Sequence, residues 1–120
     1  MSGVRGLTIV VAGADGARLH AALSLAAANA ALEGRTRVFL QADAVALLGG
    51  GEEDGRYAAA GMPGVQELIG EVLAMGVDII ACQSGLALAG MEAGALPEGV
   101  ETGGLVGLMA GLGEDRLVIA

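Results

Sequence analysis

The chain has 120 residues and a formal net charge of −8, and its only basic residues besides one histidine are six arginines. A chain of this length buries roughly two thirds of its unfolded surface around one core, so we expect a single domain over residues 1–120. The acidic balance disfavours binding to the phosphates of nucleic acids. No apolar run reaches the length of a membrane span and no signal peptide is evident, so we expect no membrane partner.

Alternating strand and helix patterns fill the first half of the chain. Residues 7–12 read as a buried strand, and Asp15 is a good N-cap for an alanine-rich helix over 17–33 that Gly34 ends. A second strand follows at 36–40, then a short helical turn with Asp43 as its cap. Glycines and acidic residues make 49–61 an exposed loop.

The same alternation continues in the second half. Pro63 begins a helix that Gly76 ends, and an apolar strand runs from 77 into Cys82. Ser84 is the predicted cap of a short helix over 86–90, and a brief strand follows at 100–101. A last helix over 102–112 precedes a strand at 116–120. This order predicts an α/β fold, with three α/β/α layers around a mainly parallel five-stranded sheet.

Cys82 is the only cysteine, which excludes an internal disulfide, a CxxC pair and a multi-thiolate metal site. We therefore expect no metal, no other cofactor, and a reducing compartment such as the cytoplasm. The carboxyl end of a parallel strand is where ligands gather in open α/β sheets. The following helix start favours a thiolate there, and Gln83, Ser84 and Gly85 are candidates to stabilise it through their N–H groups. Asp15 and Asp43 follow strands that end at the same edge, and are further candidate binding residues.

Several sequence features have more than one interpretation. Free cysteine is among the most buried residue types, so Cys82 fits a packed thiol as well as a nucleophile. A peroxidase would place a positive group beside the sulfur, and no Arg or His is near Cys82 in the sequence. His20 is interpreted as a half-exposed surface residue. The stretch 13–16 (GADG) is too short for a dinucleotide-binding fingerprint or a P-loop.

Four stretches are similar to the DsrE/DsrF-like proteins, and together they span nearly the whole chain. They are residues 39–45 (FLQADAV), the helix and strand over 62–77, the block 81–85 (ACQSG) with 89–91 (AGM), and 99–104 (GVETGG). The resemblance implies a small α/β/α domain that assembles as a homo-oligomer, in a family that includes carriers of cysteine persulfides. Gly85 departs from the family pattern, in which a serine often stands three residues after the cysteine.

The resemblance favours a sulfur carrier, or a sulfurtransferase-like protein, that holds a persulfide on Cys82 and works with a protein that donates or accepts sulfur. The alternative is a non-enzymatic homo-oligomeric module that binds a small ligand or partner and merely packs Cys82. The nearly all-apolar helix at 17–33 supports self-association as a dimer, trimer or hexamer, because monomers rarely expose large apolar patches.

Overall fold

The computed structural model describes residues 4–50 and 54–120. Its five strands and five α-helices follow one another, with two 3₁₀ helices between them, as β1 (Leu7–Val11), α1 (Gly16–Ala31), β2 (Thr36–Leu40), the 3₁₀ helix Ala42–Gly49, α2 (Gly55–Ala59), α3 (Val65–Ala74), β3 (Asp78–Cys82), α4 (Gln83–Ala89), the 3₁₀ helix Ala93–Ala95, β4 (Glu101–Gly103), α5 (Leu105–Ala110) and β5 (Arg116–Ile119). In the described residues, no helix is both long and apolar enough to span a membrane.

The strands form one parallel sheet in the order β4-β3-β2-β1-β5. This confirms the α/β prediction. The central strands β1 and β2 are buried at every position, as strands covered on both faces must be. The core is aliphatic apart from one aromatic ring, and its largest fully buried hydrophobic side chains are Phe39, Ile9, Leu19, Leu23, Leu40, Leu48, Ile79, Val11, Val38, Val45 and Val72.

Helices lie on both faces of the sheet, but unequally. Thr36 accepts a hydrogen bond from Asn29 of α1, whereas Arg37, the next residue of β2, donates one to the carbonyl of Leu108 in α5. Successive strand residues point to opposite faces, so α1 and α5 cover opposite faces. Helix α3 packs against α1. On the opposite face, α5 has six residues, and Leu117 and Ile119 of β5, which share that face by strand pairing, are exposed, so part of the face is open.

Several predicted boundaries differ from the structure. Helix α1 ends with Leu32 as its C-cap and Glu33 takes the positive φ of 66°, so the prediction of Gly34 as the helix stop is wrong. Gly34 serves close packing instead, because a Cβ there would lie 3.0 Å from the Arg5 carbonyl oxygen. Helix α2 lies within the predicted loop 49–61, of which residues 51–53 fall outside the described part of the chain. Residue 102 belongs to β4, so the last helix starts later than predicted.

A buried ion network fastens the amino-terminal edge of the sheet. The Asp115 carboxylate is 8% exposed and accepts hydrogen bonds from Thr8 at 2.9 Å and from the Arg35 Nη2 at 2.8 Å. The Arg37 Nε lies 3.7 Å from the same carboxylate oxygen and donates to the Thr8 hydroxyl. These contacts join β1, β2 and the start of β5, so the network ties together segments that are distant in the sequence.

Candidate functional site

Cys82 is the last residue of β3 and also the N-cap of α4. Its neighbour in the sheet is Gly103, the last residue of β4. The predicted location at the carboxyl end of a parallel strand is confirmed. The prediction of Ser84 as the helix cap is wrong, because α4 begins at Gln83 and Ser84 lies in its first turn. The sulfur is thereby closer to the free N–H groups of the helix than the sequence indicated.

The Cys82 sulfur sits in a cradle of hydrogen-bond donors. Burial raises the pKa of the thiol, but hydrogen bonds from the backbone N–H groups of Gly85, Ala42 and Ser84 and from the Ser84 hydroxyl oppose this effect. The donors outweigh burial, so the pKa of Cys82 lies below its ordinary value. Donors aimed at one atom stabilise its charged form, so the arrangement favours the thiolate.

Ala42 contributes to this cradle from a different part of the chain. It follows β2 and has a φ of 50°, in the left-handed region that residues with a Cβ seldom adopt. Such a conformation costs on the order of 1–2 kcal/mol and persists only where the surroundings impose it. Here Ala42 lines the cavity beside Cys82, and hydrogen bonding from its N–H lowers the pKa of the thiol. We infer that the strained backbone at Ala42 belongs to the sulfur site.

Close packing between α4 and the 3₁₀ helix Ala42–Gly49 explains why residue 85 is a glycine. A Cβ at Gly85 would overlap the Val45 side chain and lie 2.6 Å from the carbonyl oxygen of Ala42. The absence of a side chain lets α4 pack directly on the 3₁₀ helix Ala42–Gly49. Gly85 and Ala42 can then both direct their N–H groups to one sulfur atom. A serine side chain at this position would find no space, and the Gly85 N–H acts as a donor to the thiol instead.

A cavity of about 320 Å³ opens beside the sulfur, between the ends of the strands and α5. Cys82 is only 7% exposed, and this cavity is its access to solvent. The residues that line it are all uncharged, namely Gln41, Ala42, Cys82, Gln83, Ser84, Gly103, Gly104, Leu105 and Val106. Two of the five predicted binding residues, Gln83 and Ser84, thus line the cavity with Cys82. Gly85 is buried and does not line it.

The structure does not bring Asp15 and Asp43 into this cavity. Asp15 caps α1 by accepting from the N–H of Ala17 at 2.9 Å, and it lines a separate cavity of about 350 Å³. Asp43 is exposed in the first turn of its 3₁₀ helix, whose N-cap is Gln41, so the prediction of Asp43 as the cap is wrong. Helix capping accounts for Asp15 without a role in catalysis.

His20 is buried, contrary to the prediction of a half-exposed surface residue. Its ring stacks on Tyr57 with centroids 3.8 Å apart, and its Nε2 lies 2.9 Å from the carbonyl oxygen of Pro63. These contacts attach α2 and the start of α3 to α1. His20 does not line the Cys82 cavity, so it serves packing there rather than proton transfer to the sulfur.

Within residues 4–50 and 54–120, no three His, Cys, Asp or Glu side chains gather as metal ligands would. The residues that sequence reasoning missed are Ala42, whose N–H reaches the sulfur, and Leu105 and Val106, which form the apolar wall of the cavity. Of these three residues, only Ala42 could have been found from the sequence. It lies within the family-like stretch 39–45, directly after the strand that pairs with β3.

Comparison with known proteins agrees with this architecture. The sequence profile described as the DsrE/DsrF-like family matches residues 6–119. The chain belongs to the DsrE/DsrF-like family. A similar solved structure is that of MTH1491, a protein of unknown function from Methanobacterium thermoautotrophicum. The two chains are 22% identical with a TM-score of 0.69, over 97% of this chain and 98% of the other. No curated protein is close enough in sequence to count as a match.

Membership of the DsrE/DsrF-like family is consistent with sulfur-relay chemistry. The likeness to MTH1491 adds the fold, which both chains share over nearly their full lengths.

Proposed function

We propose that this protein is a sulfur carrier that holds a persulfide on Cys82. One observation carries the proposal: the single thiol of the chain is the N-cap of α4 and lines an uncharged cavity, where hydrogen bonding from three backbone N–H groups and the Ser84 hydroxyl lowers its pKa. The thiolate is the form of cysteine that attacks sulfur. The chain has one cysteine, so no second thiol of the same chain can attack a persulfide on Cys82 and form an intramolecular disulfide.

The chemistry is a redox-neutral exchange between two sulfur centres. The Cys82 thiolate attacks the outer sulfur of a donor R–S–SH, a new S–S bond forms on Cys82, and the donor's S–S bond breaks. The donor leaves as the thiolate R–S⁻, and the proton stays on the transferred sulfur. A persulfide is more acidic than a thiol, so a cradle that stabilises a thiolate also favours the persulfide anion. Attack by an acceptor thiolate reverses the step.

The direct experiment is intact mass spectrometry after incubation with glutathione persulfide. We expect a gain of one sulfur atom per chain, which disappears when an acceptor thiol is added. The Cys82→Ser variant is the control and should gain nothing. An unchanged mass in the native wild-type protein, with the donor shown to be active on another thiol protein, would contradict the proposal.

The alternative function is a binding module in which Cys82 is only packed. The low exposure of Cys82, 7%, is the observation that favours it. The two functions differ in the reactivity of the native thiol, since a packed cysteine reacts slowly with alkylating reagents and a carrier must react. The residues around Cys82 carry no charge, which fits a peroxidase less well than a sulfur carrier. A lone reduced thiol also fits the cytoplasm as its location.

We also propose that the protein self-associates, through the open face of the sheet. Five large apolar side chains on this side are 40% or more exposed, and they are Leu105, Val106, Met109, Leu117 and Ile119. Helix α1, the surface favoured by the sequence, exposes Leu25, and its C-cap Leu32 is also exposed.

Light scattering of wild type and of Val106→Glu tests whether self-association uses the open face of the sheet or helix α1. Dissociation by this substitution supports the α5 face, and a monomeric wild type at micromolar concentration contradicts self-association.

A further inference from the structure

The wall of the Cys82 cavity offers no charged side chain to a bound molecule. Apart from Cys82 itself, the eight residues that line it in the described part of the chain are uncharged. Two of them, Gln41 and Gln83, have amide side chains, which donate and accept hydrogen bonds without a formal charge. Leu105 and Val106 add an apolar wall. A charged group that entered this cavity would lose hydration and find no partner of opposite sign, whereas an uncharged group would not.

Two carboxylates border this lining. Asp43 directly follows Ala42 of the lining and is exposed. Glu101 lines a smaller cavity, of about 130 Å³, which shares two glycines with the wall of the Cys82 cavity. Neither carboxylate forms an ion pair within residues 4–50 and 54–120. The surroundings of the cavity therefore repel an approaching anion rather than attract it.

Arg37 also lines the smaller cavity, but its charge is already engaged. Its Nε lies 3.7 Å from the Asp115 carboxylate, and Asp78 is a second acidic neighbour. Its Nε and Nη2 donate hydrogen bonds to the Thr8 hydroxyl and the Leu108 carbonyl. With two carboxylates acting on it and Glu101 in the same cavity wall, Arg37 gives an incoming anion little attraction.

The attacking sulfur itself adds to this discrimination. Cys82 attacks as a thiolate, which is stabilised by backbone N–H groups and the Ser84 hydroxyl and not by a positively charged side chain. A donor with a negative charge next to its outer sulfur would bring two like charges within about 4 Å of each other, where repulsion in a partly buried site is strong. No cation in the lining offsets that repulsion.

We propose that the Cys82 cavity selects sulfur donors that are uncharged around the transferred sulfur and discriminates against anionic donors such as thiosulfate. This inference rests on the proposed function and adds the class of its substrate, a persulfide whose charges, where it has any, lie outside the cavity. Glutathione persulfide meets this condition, because peptide bonds flank its cysteine on both sides. Thiosulfate does not, because its sulfonate group is bonded directly to the sulfur that would be transferred.

Alkylation of Cys82 tests this selectivity without any transfer of sulfur. Iodoacetamide and iodoacetate have nearly the same size and differ by one charge. Both react with the same thiolate, so the ratio of their rates does not depend on the pKa of Cys82. We expect the ratio of the iodoacetamide rate to the iodoacetate rate to be on the order of tenfold higher in the native protein than in the urea-unfolded protein. At an ionic strength of about 0.15 M, exposed charges are screened beyond about 8 Å, so the net charge of −8 contributes little.

Two lysine substitutions on α4 separate the cavity from the overall charge. Gln83 and Leu88 are both exposed residues of this helix, but only Gln83 lines the cavity. Gln83→Lys and Leu88→Lys each add one positive charge to the protein. Gln83→Lys should lower the native ratio towards the unfolded value, because it places a cation beside the sulfur. Leu88→Lys should leave the ratio unchanged.

The outcomes distinguish this inference from the proposed function. Equal ratios in the native and unfolded proteins, or no reaction of native Cys82 with either reagent, would overturn the selectivity. Equal effects of the two lysine substitutions would overturn it as well, because the preference would then come from the overall charge. A native preference for iodoacetamide in a protein that takes no sulfur from glutathione persulfide would keep the selectivity and remove the carrier function.

Discussion

Replacing Gly85 with alanine is expected to lower the free energy of unfolding by about 3 kcal/mol, near the upper end for overpacking a tight interior. The new Cβ would overlap Val45 and approach the Ala42 carbonyl oxygen to 2.6 Å, so α4 and the 3₁₀ helix Ala42–Gly49 must separate. Separation also withdraws the N–H groups of Gly85 and Ala42 from the sulfur, so the pKa of Cys82 should rise. Urea unfolding and the pH dependence of alkylation measure the two effects.

Gly107→Ala is the matched control for this substitution. It adds the same methyl group inside a helix where a Cβ would meet no atom within 4 Å. Alanine is a better helix former than glycine by up to about 1 kcal/mol, so this variant should be as stable as wild type or more stable. Wild-type stability in Gly85→Ala would show that the close contact between the two helices is absent.

Replacing Asp115 with alanine is expected to cost about 3–5 kcal/mol, the range found when one partner of a buried ion pair is removed. The substitution removes the carboxylate that is paired with the buried Arg37, so that Asp78 is its remaining acidic neighbour, and it removes the acceptor of the Thr8 hydroxyl. Arg56→Gln is the control, because the ion pair of Arg56 with Asp54 is exposed and the loss of this pair should change the unfolding midpoint little. Equal effects of the two substitutions would contradict the account of the network.

The contribution of Asp115 should also depend on pH. Burial raises the pKa of this carboxyl, but hydrogen bonds from Arg35 and Thr8 and the charges of Arg35 and Arg37 hold it below its ordinary value. A lowered pKa in the folded state means that the stabilisation is present above the unfolded pKa of about 3.9. It is lost as the pH falls towards the lower folded value. The stability difference between wild type and Asp115→Ala should therefore shrink below about pH 4.

Much of the fold was predictable because its signals are local. Apolar runs between glycines indicated the strands. Cys82 ends one of these runs, which predicted its position at the carboxyl edge of the sheet. The cap assignment failed because helix boundaries shift by one or two residues without changing the apolar pattern. Cys82 rather than Ser84 occupies the N-cap, a difference that changes which groups face the sulfur.

The parts of the site that escaped prediction depend on distant contacts. Ala42 is forty positions before Cys82 in the sequence, and only the pairing of β2 with β3 brings its N–H to the sulfur. His20 is buried because Tyr57 stacks on it, and Tyr57 lies in a segment predicted as a loop. Arg37 fits in a buried strand because the Asp115 carboxylate lies 3.7 Å from its Nε and the Thr8 hydroxyl accepts a hydrogen bond from it.

The central claim is that the hydrogen-bond donors around Cys82 favour its thiolate more than burial disfavours it. The most direct measurement is the pH dependence of Cys82 alkylation by iodoacetamide in the native protein, with the urea-unfolded protein as reference and Ser84→Ala as a variant lacking one donor. We predict that the native midpoint lies below the unfolded one, and that Ser84→Ala moves it back towards the unfolded value without unfolding the protein. A native midpoint at or above the unfolded value would mean that burial dominates, and would contradict the account.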